Sequence, residues 1–349
     1  MNLEDTLKSI RKINYGLEPV IHSRLDNLTK PKGSLGRLEE IAARYCLING
    51  TAEPELGKKR IYTFAGDHGV TAEGVSAYPS EVTCQMVMNM LSGGAAVNVL
   101  ARHAGAEVLV LDMGVNDPLE DAEGLIRRKI RFGTGNIARE PALSREEAVR
   151  AIETGIEMAE EAKKQRVTLL GTGEMGIGNT TPSSALCSVF LSQDVEALTG
   201  KGTGIDEQTL LKKINVIRRA IKTNAALLTD PLGVLAALGG LEIAGICGLC
   251  IGAASCRIPV VIDGFISSAG ALAACRMCEE VKDYLYFSHC SDEQGHRVML
   301  RQLGVQPILD LGMRLGEGTG AALAMQIIEA SVKIYIEMAT FDNAGVSKS

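Results

Sequence analysis

From Arg60 onward the chain repeats one unit: a short apolar run that ends in Gly, Asp or Ser and is followed by sequence with helical periodicity. The runs are 61–65, 108–111, 167–170, 258–262, 284–287 and, less sharply, 308–311. Short, mainly apolar runs of this kind describe strands buried on both faces, and helical stretches between such strands make them parallel. The expected fold is therefore α/β, a doubly wound, mainly parallel sheet flanked by helices. Residues 1–58 read as helices: Leu3, Leu7 and Ile10 recur at helical spacing, and Pro19 suits a first turn. After a break at 30–34, Leu38, Ile41 and Tyr45 continue the pattern. A last helix runs from Thr319 to about Ala339, with Leu323, Ile327, Ile328, Val332 and Tyr335 inward and Glu329, Lys333 and Glu337 in solvent. Residues 1–58 and 319–349 are expected to form a small helical subdomain from both termini, beside an α/β domain of residues 59–318.

Charge and cysteine usage narrow the function. Lys and Arg total 36 against 42 Asp and Glu, a net charge of −6, which leaves no electrostatic footprint for nucleic acid or a membrane surface and favours a small-molecule partner. The N-terminus lacks the basic, apolar and small-residue order of a secretory signal, so a cytoplasmic protein is expected. Residues 232–256 are apolar, but Glu242 leaves only 243–256 uncharged, short of the roughly 20 residues a membrane span needs. A buried helix is expected there. Cys247/Cys250 and Cys275/Cys278 form two C-x-x-C pairs, yet both lie in Ala/Gly/Leu-rich runs of helical length, where thiols serve as small packing groups; no metal is expected.

Ligands of open parallel sheets bind beyond the carboxyl ends of the strands. The richest segment there is 167–182, which contains Gly171-x-Gly173-x-x-Gly176, formally a dinucleotide fingerprint. The acid that should close a second strand about 20 residues on is missing, because Asp194 and Glu196 follow no apolar run. A phosphate cradle fits better. Thr180 or Thr181 caps a helix starting at Pro182, glycine-lined N–H groups face its positive end, and Glu174 reaches a ribose hydroxyl. The alternative is a glycine-rich turn that binds nothing. In 311–321, Glu317 stands between glycines before an Ala-rich helix, placed either to contact a ligand or to satisfy the helix dipole. Asp67 and His68 end the first apolar run as a ligand contact or a turn. Ser288-His289-Cys290-Ser291 lacks a nucleophile elbow and a partner acid. Lys201, Lys212 and Lys213 either approach a phosphate or form a solvated face. There is neither a Walker-type phosphate loop nor a pair of adjacent acids for magnesium, so no metal-dependent reaction is expected.

In order and spacing, 28–38 (LTKPKGSLGRL), 65–70 (AGDHGV), 78–86 (YPSEVTCQM), 173–181 (GEMGIGNTT), 202–204 (GTG) and 314–320 (RLGEGTG) resemble the nicotinate-nucleotide–dimethylbenzimidazole phosphoribosyltransferases nearly end to end. The resemblance implies a homodimeric enzyme of cobalamin biosynthesis; no cofactor is expected. It moves phosphoribose from nicotinate mononucleotide to 5,6-dimethylbenzimidazole, releasing nicotinate and α-ribazole 5′-phosphate. By motif, Glu317 matches the general base. Gly173, Glu174, Gly176, Gly178, Asn179, Thr180, Thr181, Gly202, Lys213, Gly264 and Ser291 match the phosphoribosyl side, and Tyr78, Gln85 and Leu315 the base pocket. The rival readings are an NAD-dependent oxidoreductase using the Gly-x-Gly-x-x-Gly run, and a non-catalytic protein that binds nucleotides or corrinoid precursors.

Overall fold

The structure, a computed structural model, describes residues 1–120, 122–202 and 204–347. Its strands are β1 (Lys58–Gly66), β2 (Ala106–Gly114), β3 (Ile126–Arg127), β4 (Val167–Met175), β5 (Val260–Ile262) and β6 (Leu285–Phe287). They form one sheet of order β3-β2-β1-β4-β5-β6 with every pair parallel. The chain winds from β1 to one edge, then returns to β4 and winds to the other. The reversal between β1 and β4 opens a crevice at their carboxyl ends, where ligands of such sheets bind.

The sheet departs from the expected runs at three places. The run 308–311 does not join it: Leu309 makes only an isolated parallel bridge to His289. Strand β3, of two residues, is too short to leave a pattern in sequence. Strand β4 extends past its apolar run through Gly171, Gly173 and Glu174, in register with β1 up to Ala65 and Met175. Backbone pairing with β1 keeps these glycines extended, and their missing side chains let other elements close on the strand. A Cβ at Gly171 would sit 2.8 Å from Met325 Cε and 3.3 Å from Ala321 Cβ, so the Thr319–Glu337 helix rests directly on β4.

The apolar stretch at 232–256 becomes two helices, Pro231–Leu238 and Leu241–Cys256, and the second is buried over almost its whole length. Its Gly248 lies against the backbone of Ile152, and its Gly245 carbonyl meets Gly155, both in the Arg145–Lys164 helix, a fit that requires small residues. The four C-x-x-C cysteines are free thiols. Burial pushes the Cys247, Cys250 and Cys275 thiols well up, so they remain protonated packing groups. Another apolar stretch, 81–104, is broken at residues 92–95 into the helices Glu81–Leu91 and Ala96–Ala104, each shorter than a bilayer span.

The termini meet. Arg24 donates to the carbonyls of Tyr335 and Ile336 at 2.7 Å, Tyr335 donates to the Ala52 carbonyl at 2.8 Å, and Thr29 N–H to the Ala339 carbonyl at 3.0 Å. Ile328, Val332 and Tyr335 are buried as expected, whereas Leu323 and Ile327 are half-buried because the inner face centres on Ala321, Ala324 and Met325. Glu329 is held by Lys59 and Lys333. One continuous apolar core runs through these helices and the sheet.

Candidate active site

A cavity of about 550 Å³ lies beyond the carboxyl ends of the strands, within the size range of small-molecule sites. Segments after β1, β4, β5 and β6 line it, together with residues 314–317.

Glu317 is 5% exposed and lines this cavity. Gly316, Glu317 and Gly318 have φ values of +85°, +66° and +104°. Three consecutive left-handed residues are costly for anything but glycine, so the tight turn singles out the acid between them. Two contacts hold the turn: Thr63 Oγ1 donates to the Glu317 carbonyl at 3.0 Å, and Gly318 N–H donates to Asp263 Oδ2 at 3.0 Å. Asp263 also accepts from Ala321 N–H, which fixes the start of the Thr319–Glu337 helix. The Glu317 carboxylate receives Val97 N–H at 3.4 Å from the first turn of the Ala96–Ala104 helix. Burial raises its pKa, the Val97 N–H opposes that, and the Asp263 charge adds to it. The result is a carboxylate more basic than a solvated one, facing an open volume.

Across the cavity lies the cradle segment. Gly176, Gly178, Asn179, Thr180 and Gly202 line the volume, as do Gly264 and Ser291. The cap differs from expectation: the helix is Thr180–Leu191, starting two residues before Pro182, with Asn179 at its N-cap. Asn179 Nδ2 is instead spent on Glu174 Oε2, at 2.5 Å. Burial, chiefly, and the nearby acids Asp263, Glu242 and Glu317 push the Glu174 carboxyl up to about 8, against the Asn179 hydrogen bond. Thr181 is buried inside the first turn and does not reach the cavity. Lys213, from the Glu207–Thr223 helix, lies behind the wall and donates to Thr180 Oγ1 at 2.7 Å and to the Gly200 carbonyl at 3.3 Å. Burial lowers its pKa to about 8, with the Glu293 carboxylate opposing. Gly264 caps the Phe265–Met277 helix without a side-chain bond, so a second helix N-terminus opens on the same volume. Arg314 donates to the Gly202 carbonyl at 2.9 Å; Thr203 lies outside the described residues.

Gly173 does not belong to the cradle. It is a strand residue whose Cβ would overlap the Glu317 carbonyl, so its absent side chain admits the turn that carries the acid. With Gly171 and Gly173 inside β4, the Gly-x-Gly-x-x-Gly run does not form a dinucleotide turn.

Val75, Val82, Met86 and Ile177 supply an apolar wall, with Tyr78 (55% exposed) and Leu315 (59% exposed) at the mouth. Gln85 is not brought in: it is exposed on the Glu81–Leu91 helix, while Val82 and Met86, four apart on one face, line the cavity. Helical spacing alone was the signal for that pair. Asp67 and His68 lie outside the lining. Asp67 Oδ2 accepts from Asn116 N–H at 2.8 Å, and His68 pairs with Glu242 at 2.7 Å; burial alone would deprotonate His68, but the Glu242 carboxylate outweighs it and raises the pKa. Sequence reasoning set His289 aside with the hydrolase reading and gave no role to Glu293 or Arg314, yet all three line the cavity. Among the described residues no group of three or more His, Cys, Asp or Glu is arranged to hold a metal ion.

The arrangement of acid, anion cradle and apolar wall has counterparts in known proteins. A family model described as "Phosphoribosyltransferase" matches residues 10–346. The nicotinate-nucleotide–dimethylbenzimidazole phosphoribosyltransferases of Chlorobaculum parvum and Chlorobaculum tepidum are each 59% identical over 344 residues, covering 99% of this chain and 98% of theirs. The crystal structure of CobT from Thermus thermophilus superposes with a TM-score of 0.90 at 45% identity, over 99% of this chain and 100% of that one. Both rival readings go unsupported by these matches. On sequence, on fold and along its whole length, the chain belongs to the nicotinate-nucleotide–dimethylbenzimidazole phosphoribosyltransferase family.

Proposed function

We propose that this protein transfers the phosphoribosyl group of nicotinate mononucleotide to 5,6-dimethylbenzimidazole or a related base, giving α-ribazole 5′-phosphate and nicotinate for cobalamin assembly. The observation that carries the reading is the shared cavity: a buried carboxylate, Glu317, and the cradle of Gly176–Thr180 and Gly202 face one volume, with an apolar wall for a flat ring.

The nicotinate ring in the donor is a cationic pyridinium. When the C1′–N bond breaks, its electron pair neutralises the ring nitrogen, so departure needs little acid catalysis. The acceptor is the harder partner. Its attacking nitrogen turns cationic on bonding to C1′ unless the proton on its other nitrogen leaves. Glu317 takes that proton, a contribution of about 10²–10⁴-fold for a positioned base. Attack opposite the departing ring inverts C1′ from β to α. The cradle, with Lys213 behind it, holds the phosphate, and Glu174 addresses the sugar. Holding both rings against one sugar supplies acceleration by orientation. Tyr78 and Leu315 flank the base at the mouth.

Nicotinate release from the two substrates tests the reading, and a chain that releases none refutes it. Gly176→Val is the matching variant, because even a Cβ there would crowd the Gly66 carbonyl and approach His68 Nε2 to 3.2 Å. Unchanged mononucleotide affinity in that variant would show that the loop is not the phosphate grip. The proposal includes a homodimer working in the cytoplasm, with helices of both termini as a small subdomain; sedimentation of the purified chain tests the first part.

A further inference from the structure

We propose that His289 is a ligand-contacting residue of this site, binding the sugar phosphate through its ring nitrogens. The inference rests on the phosphoribosyl reading above and adds a residue to it.

Two histidines lie close together here, both buried, their rings 6.2 Å apart and edge-on. His296 is fully used by the fold. Its Nδ1 accepts Ser291 N–H at 2.9 Å, which leaves the proton on Nε2 to reach Ser268 Oγ at 3.0 Å. Burial lowers its pKa to about 3, so it stays neutral. His289 is the opposite case. It is 1% exposed, lines the cavity, and among the described residues neither of its nitrogens has a hydrogen-bond partner. Buried polar atoms are nearly always paired, because an unpaired one keeps its full desolvation cost. Two such atoms on one ring of a cavity-lining residue, both sealed from solvent in the free chain, mark groups that a ligand engages once the ring turns toward it.

The position narrows what that is. His289 Nε2 lies 3.5 Å from a Cβ built on Gly264, the N-cap of the Phe265–Met277 helix, and 2.8 Å from one built on Gly320 in the first turn of the Thr319–Glu337 helix. The ring therefore stands between two helix N-termini, and the missing side chains of Gly264 and Gly320 make room for it. A neutral imidazole offers one N–H donor and one lone pair. A sugar phosphate supplies both complements: phosphate oxygens accept, and ribosyl hydroxyls donate. A flat apolar base supplies neither along its face. The ring sits between the cradle wall, to which Gly264 and Ser291 belong, and the turn that carries Glu317, where the sugar must lie if the phosphate and C1′ occupy their proposed places.

The test is His289→Phe, which keeps a ring of similar shape and removes both nitrogens. Replacing unpartnered polar atoms by apolar ones does not weaken the ligand-free fold, so its melting temperature should equal or exceed that of the parent. Affinity for nicotinate mononucleotide, measured by calorimetry without base, should fall about 10–100-fold, with 5,6-dimethylbenzimidazole affinity unchanged. His289→Gln, whose amide nitrogen can stand in for Nε2, should recover part of the loss, and it serves as the readout if the Phe variant fails to fold. Mononucleotide affinity equal to the parent's in a folded variant, or an equal loss for both substrates, overturns the inference. A parent chain that itself neither binds the mononucleotide nor releases nicotinate refutes the phosphoribosyl reading instead.

Discussion

Gly173→Ala puts the smallest possible change at the place where the fold and the proposed chemistry touch. The new methyl would lie 2.7 Å from the Glu317 carbonyl carbon and 2.7 Å from Thr63 Oγ1, and closer still to the Glu317 carbonyl oxygen. Carbon atoms settle at about 3.5–4.0 Å from one another, so the 316–318 turn must retreat by about 1 Å. Rotating Thr63 away does not relieve the clash, because its hydroxyl is what tethers that carbonyl. Gly173 itself is ordinary extended strand, so the substitution adds no backbone strain of its own. Overpacking of this size costs about 1–3 kcal/mol of stability, which leaves a folded protein. Misplacing a reacting group by about 1 Å costs about 100-fold in rate. The expected result is a folded variant with turnover down about 100-fold and mononucleotide affinity held. Gly171→Ala is the control: its methyl meets the movable end of Met325 at 2.8 Å and Ile61 Cγ1 at 3.0 Å, side chains rather than the backbone of the turn. It should lose comparable stability and keep its turnover. Combined with Glu317→Gln, Gly173→Ala should lower turnover no further, since both act through one carboxylate. Chemical denaturation and nicotinate release measure all four proteins. Parental turnover in Gly173→Ala, or equal turnover losses at 171 and 173, would refute the reasoning.

Glu317→Gln alone should keep the fold and mononucleotide binding but lose about 10²–10⁴-fold in turnover; near-normal nicotinate release would remove Glu317 from the base role. Because Glu317 must be ionised to act and its pKa is raised, turnover in the parent should fall on acidification at a higher pH than a solvated carboxylate would give. Glu174→Gln should alter the pH dependence of stability. The folded carboxyl keeps its proton up to about pH 8, whereas the unfolded one loses it near the ordinary 4.5, so the parent loses stability as pH rises through that window. The Gln variant should lack this decline in urea titrations between pH 5 and 8, and parallel curves would count against it. Lys213→Met removes the cation behind the cradle, and mononucleotide Kd should rise about 10–100-fold with base affinity unchanged; an equal rise for both would mean the lysine only supports the fold.

Much of the architecture was legible because burial leaves a period. Five of the six apolar runs are strands, and the 319–337 helix turns its small and apolar face to β4. The run 308–311 misled because its residues are neither buried nor paired as a strand: Leu309 is half-buried with one bridge to His289 beyond β6, and Leu311 is 59% exposed. Glu317 was legible because two glycines in sequence announce left-handed backbone. Asn179 was missed as the cap because its side chain answers Glu174 in place of its own helix. Gln85 was placed in the cavity because a motif names a segment, whereas a helix face selects within it.

By itself the sequence determined the α/β class, the terminal helices and the short list of segments where chemistry could lie, since each of these depends on neighbours a few residues apart. Only the tertiary structure decided that Gly173 yields space to the turn bearing Glu317, that Lys213 reaches Thr180 from behind, and that His296 is satisfied while His289 is not. Those facts depend on segments tens to hundreds of residues apart meeting within a few ångströms, and a local pattern carries no record of which distant atom will fill, or leave empty, the space beside it.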